Sequence, residues 1–157
     1  MSEDHFLRLL RRGVGADART LLSLARAVRS LDGPSFHLDL DIALAYGLTK
    51  HETGQSIVYS GGRGGGDPLT AWVLPNGVTI TTVRGAAPEF TGRLDLAMSL
   101  VPDDWRVVLI RNGSFRSCEI TGPDQMKRYG CAARSLELAV VSAALTMRGT
   151  LMGGAEG

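Results

Sequence analysis

Little in this sequence anchors a common chemistry. It has two cysteines, Cys118 and Cys131, too few for a disulfide framework and without the CxxC spacing of a zinc site. Both are expected to be reduced, buried thiols. No apolar run approaches the ~20 residues needed to cross a bilayer, which excludes a membrane protein. No secretory leader is expected: MSEDHFLRLLRRG puts acids ahead of a short amphipathic stretch, where a leader needs a basic start, an apolar run and a small-residue cleavage site. A cytoplasmic chain is the expectation. The formal net charge is only +1, so no whole-protein field draws in nucleic acid or an anionic membrane. There is no G-x-S-x-G, no HExxH and no triad order, and no internal repeat beyond an approximate recurrence of strand pairs.

What is present reads as one domain. At 157 residues the chain is long enough to bury a core, and its 44% hydrophobic and 21% charged content is ordinary for a soluble protein. The spacing divides it into an amino-terminal helical extension (1–16), a folded domain (17–148) and a flexible tail (149–157). In the extension, Phe6, Leu9 and Leu10 share one helical face with Arg8, Arg11 and Arg12 around the other. From Asp17, a plausible N-cap, Leu21, Leu24, Ala25, Val28 and Leu31 recur at helical spacing up to a DGP stop. LDLDIALAYG starts another short helix, with Asp39 or Asp41 near its positive end and Gly47 as C′.

Residues 49–68 have no periodicity and include GGRGGGDP, which reads as a mobile loop. Two β-rich segments then flank Pro75-Asn76-Gly77 as a hairpin, with Trp72, Val78 and Ile80 as candidates for a buried face. In FTGRLDLAMSLVPDDWRVVL, Thr91 is placed to cap a helix whose stripe is Leu94, Ala97, Met98 and Val101, and Pro102 stops it. The strand led by Trp105 is apolar on both sides, as in a central strand covered on both faces, and Asn112-Gly113 turns it into a mixed, edge-like return strand. A last helix runs from a Ser135 cap to Arg148 and Gly149. Four strands in two hairpins with helices before, between and after make a layered α+β domain.

Three segments, in order, resemble the small proteins grouped as the phage ABA sandwich domain: LARAVRSLDGPSFHLDLDIALAYGL, FTGRLDLAMSLVPDDWRV and AARSLELAVVSAALTMRG. The residues of the middle segment that carry the resemblance are Leu94, Asp95, Ala97, Leu100, Val101, Pro102 and Trp105, and the closing helix matches from Ser135 to Arg148. The leading helix at 3–12 and the glycine-rich loop at 60–66 depart from the family pattern. The resemblance implies an α-β-α sandwich, with a small, mainly antiparallel sheet built from the two hairpins and helices on both faces. It also implies a phage or prophage origin, and it transfers no catalytic residue.

Several residues are candidates for a site. Asp95, Asp103 and Asp104 could serve acid/base or metal chemistry, but a helix face and a solvated turn account for them. His37, Asp39, Asp41 and His51 offer ligand types for a transition metal, yet their spacing does not make them converge. Cys131 is a better nucleophile candidate than Cys118, because it precedes the last helix. GGRGGG could hold an anion on backbone N–H groups, although neither a P-loop nor a dinucleotide fingerprint is present. The expected binding residues are Arg63, Gly64 and Asp67 in that loop, with Arg8, Arg11 and Arg12 of the leading helix. No cofactor, metal or membrane is expected. The expected role is a phage or prophage accessory protein that binds a host or phage macromolecule without catalysis, for instance as an inhibitor of host defence. A protein is the expected partner ahead of nucleic acid. The alternatives are a small hydrolase-like enzyme and an anion- or nucleotide-binding regulator built on the glycine-rich loop.

Overall fold

A computed structural model of the chain describes residues 15–48, 50–56, 68–83 and 85–156. The Asp17 carboxylate accepts the Thr20 N–H at 2.8 Å and so satisfies one of the free donors that begin α1 (Ala18–Arg29). The apolar stripe of α1 buries Leu21, Leu24, Ala25 and Val28, as its spacing predicts. Helix α2 (Phe36–Ala45) starts two residues earlier than the spacing suggests, because Ser35 caps it through the Leu38 N–H. Gly47 follows its end at φ +62°, the left-handed conformation that a C′ glycine adopts without strain.

The first sheet is antiparallel, in the order β1 (Lys50–Ser56), β2 (Pro68–Val73), β3 (Thr79–Val83). β1 corrects the reading of 49–68 as loop over residues 50–56; residues 57–67, with the glycine-rich run, lie outside the described residues. KHETGQS has no apolar alternation, so its side chains did not announce a strand; the backbone ladder to β2, in which Lys50 faces Trp72, defines it. Trp72 is buried, and its indole N–H donates to Thr82 Oγ1 at 3.1 Å and to the Ala86 carbonyl at 2.9 Å. Ile80 is half-buried, but Val78 ends the turn and is 52% exposed, so it does not belong to the buried face.

The connection through Pro88 and α3 (Leu94–Met98) leads to a second antiparallel sheet, in the order β4 (Arg106–Asn112), β5 (Phe115–Thr121), β6 (Arg128–Ala133). The α+β class is as expected, but the six strands among the described residues form two sheets of three where one sheet of two hairpins was anticipated. β6 has no counterpart in the sequence reading. With β6 present, β5 is the central strand and β4 an edge. Leu109 and Ile110 of β4 are 37% and 45% exposed, so its apolar character does not mark cover on both faces.

The long helix α4 (Leu136–Glu156) packs against β5 and β6 and against α1, with α3 alongside. It is buried on nearly every side, from Leu138 through Met147. The expected stop at Arg148 and Gly149 does not occur, and the tail expected over 149–157 is helix through 156: α4 runs on to Glu156 and buries Met152. Arg148 is itself fully buried, its guanidinium 4.5 Å from the Tyr46 ring centroid. Gly149 is the point of close approach between helices, since a Cβ there would lie 2.9 Å from the Leu22 side chain. The Ser142 hydroxyl donates to the Ala25 carbonyl at 2.9 Å and ties α4 to α1. An apolar window of α4, Leu136–Gly153, has the length and hydropathy of a marginal membrane span, but 67% of it is covered by the rest of the protein, as in a core helix.

Candidate docking face

Helix α2 holds two different faces at once. Ile42, Ala43 and Ala45 join the core, and with them lies a charged group, Asp39. Burial raises the Asp39 carboxyl above the ordinary aspartate range; the Thr91 backbone and hydroxyl bonds pull it down, and Glu89 nearby pushes it up. Asp39 Oδ1 accepts from the Thr91 N–H at 2.8 Å and from the Thr91 hydroxyl at 2.9 Å. Thr91 Oγ1 in turn accepts the Ser35 N–H at 2.9 Å. The N-terminal turn of α2 is therefore fastened to the segment that leads into α3. Thr91 was expected to cap α3; Arg93 occupies that position, with no side-chain cap bond, because the Thr91 hydroxyl is committed to α2.

The other face of α2 points outward. Phe36, Leu40 and Leu44 follow one another at i, i+4 and i+8, which places them along one side of the helix. They are 80%, 40% and 63% exposed. A helix that keeps a phenylalanine and two leucines out of the core along one side departs from ordinary burial. Beside this stripe, between α1 and α2, runs an open groove of about 710 Å³. Arg19 stands on its α1 wall and Asp41 on its α2 wall, with Leu24, Ala27, Leu38 and Leu44 supplying apolar lining. Arg19, Arg26 and Arg29 are all exposed on α1.

The residues singled out in the sequence fare differently. Arg8, Arg11, Arg12, Arg63, Gly64 and Asp67 lie outside the described residues, as does the leading helix at 3–12. His37 and Asp41 share the exposed side of α2 while Asp39 is buried on the other, and His51 belongs to β1. Among the described residues no three His, Cys, Asp or Glu side chains gather as metal ligands. Asp95 pairs with Arg93 at 2.8 Å on the surface, and Asp103 and Asp104 are exposed in a turn. Cys131 is in β6 instead of at the mouth of the last helix, so the dipole argument for its reactivity fails. The stripe on α2 was missed because α2 is apolar on nearly all sides, and periodicity alone does not say which apolar residues a fold leaves outside. No family model matches the chain, and no curated protein or solved structure matches it either.

Proposed function

We propose that this chain is a non-catalytic binding protein whose α2 face docks an amphipathic, acid-bearing helix of a protein partner. The observation that carries this reading is the exposed Phe36–Leu40–Leu44 stripe, held in place from behind by the Asp39–Thr91 bonds. Apolar anchors at i, i+4 and i+8 beside a groove are what helix-in-groove recognition uses. The exposed Arg19 on the α1 wall of the groove favours a carboxylate on the approaching helix, and Asp41 favours a base at the opposite edge. The resemblance of three segments to the phage ABA sandwich domain family supports a phage or prophage accessory role in a bacterial host, with interference with a host protein as the purpose.

Site-specific photo-crosslinking in host cells tests the reading. A photoreactive phenylalanine analogue at Phe36 or Leu44 is expected to capture a protein through an acidic amphipathic segment. Leu44→Glu is expected to abolish the Phe36 crosslink and the binding of that partner, purified, without lowering the melting temperature. Crosslinks obtained from a probe at Arg63 and absent from both α2 positions would move the site to the glycine-rich loop and overturn this assignment.

A further inference from the structure

The chain's only two cysteines stand directly opposite each other, Cys118 on β5 and Cys131 on β6, as register partners in an antiparallel ladder. Facing residues in such a ladder have Cα atoms roughly 4.5–5.5 Å apart and side chains on the same face, inside the roughly 4.4–6.8 Å span that a disulfide bridges. Both thiols are free. We propose that Cys118 and Cys131 form a dithiol site that a small-molecule disulfide such as oxidised glutathione converts reversibly into a cross-strand disulfide.

Access orders the chemistry. Cys118 is buried on the central strand under α4, whereas Cys131 is half-buried on the sheet's edge strand, so an incoming disulfide meets Cys131 first. Burial pushes the Cys118 thiol up to about 12, with Cys131 and Glu119 beside it adding to the shift. Cys118 is thus a slow thiol whose role is to resolve an adduct already placed next to it. In the first step the Cys131 thiolate attacks one sulfur of the glutathione disulfide. The S–S bond breaks, a protein–glutathione mixed disulfide forms, and one glutathione leaves, taking up a proton. In the second step Cys118 loses its proton and attacks the Cys131 sulfur, and the second glutathione leaves and is protonated. Two protein thiols are oxidised to one disulfide, and one glutathione disulfide is reduced to two thiols. The product staples the β5–β6 hairpin beneath α4, and excess reduced thiol reverses it.

The test uses the full chain incubated with oxidised glutathione, then alkylation of remaining thiols, intact mass measurement and peptide mapping. The wild type is expected to lose two hydrogens and both alkylatable thiols, to yield a Cys118–Cys131 linked peptide, and to regain both thiols with dithiothreitol. Its melting temperature is expected to rise on oxidation. Cys118→Ala is expected to stop at one glutathionyl adduct on Cys131. Should that variant not fold, a wild-type time course in which the Cys131 adduct precedes the linked peptide reads the same order. A wild type that stays unmodified, that retains the adduct without closing the bridge, or that links two chains instead would overturn the proposal.

Discussion

Asp39 Oδ1 accepts both the backbone N–H and the hydroxyl of Thr91, a residue 52 positions further along the chain. One oxygen thus fastens α2 to the approach of α3, and the second carboxylate oxygen adds charge that the two bonds do not use. Asparagine supplies the same acceptor without the charge. Asp39→Asn is therefore expected to change stability by less than about 1 kcal/mol at neutral pH, whereas Asp39→Ala strands the buried Thr91 N–H, leaves the hydroxyl only its longer 3.4 Å bond to the Ser35 carbonyl, and costs roughly 1–3 kcal/mol. Urea unfolding of both variants measures the difference, and equal losses would show that the charge itself holds the latch.

The same carboxyl gives a pH signature. Its folded-state pKa is raised by burial, so over the window from the ordinary aspartate value up to the raised one the folded chain holds a proton that the unfolded chain has released. Stability from this group is greatest below that window and falls as pH rises through it. The stability of the wild type relative to Asp39→Asn is expected to decline across that range. A flat difference would mean the carboxyl is not shifted.

Tyr46 predicts an alkaline counterpart. Its phenol is buried beneath Arg148 and has no hydrogen-bond partner among the described residues; burial moves it from 10.0 to about 12, with Arg148 opposing the shift. Between those values the unfolded chain ionises and the folded chain does not, so stability is lost as pH rises through the window. Tyr46→Phe is expected to abolish this loss while leaving neutral-pH stability within about 1 kcal/mol, since only an unsatisfied hydroxyl is removed. Since the chain has three tyrosines, the readout is the phenolate absorbance that wild type has and Tyr46→Phe lacks; this difference rising near pH 10 with the protein still folded would contradict it.

Trp105 is buried just before β4, its ring 6.1 Å from that of Tyr129. Trp105→Ala is expected to cost roughly 3–5 kcal/mol, the burial lost with a large aromatic together with the cavity it leaves. Chemical denaturation gives the value, and a loss below about 1 kcal/mol would show the ring to be dispensable.

Gly149→Ala is a test of sign. Helix propensity alone favours alanine by about 1 kcal/mol. A Cβ at 149 would lie 2.9 Å from the Leu22 side chain, which can rotate, and 3.2 Å from the Ala18 carbonyl, which is helix backbone. The clash is expected to win, with a net loss of roughly 1–3 kcal/mol. A rise in melting temperature would show that α1 yields.

These helices also show what was legible in the sequence. α1 could be read almost to the residue because its stripe is one-sided and its cap is an aspartate. The end of α4 could not, because Arg148 and Gly149 have the chemistry of a last turn and a C′ glycine. Only the tertiary contacts show that the arginine is stacked on Tyr46 and the glycine is a contact point for Leu22. β1 was hidden because a polar strand is defined by its ladder and not by its side chains. The pairing of Cys118 with Cys131 depends on the turn between β5 and β6, and that register was not read because β6 itself was missed. The outward stripe of α2 was written in plain residues, but its exposure depends on what the rest of the chain does not cover.

Gly15 carries a consequence for the groove. At φ +91° it passes so close to the end of α2 that a Cβ would collide with the Ala45 carbonyl, and it lies on the rim of the α1–α2 groove. A side chain at position 15 would therefore push this segment away from the end of α2 and deform the rim, so the shape of the groove depends on a residue that contributes no side chain to it.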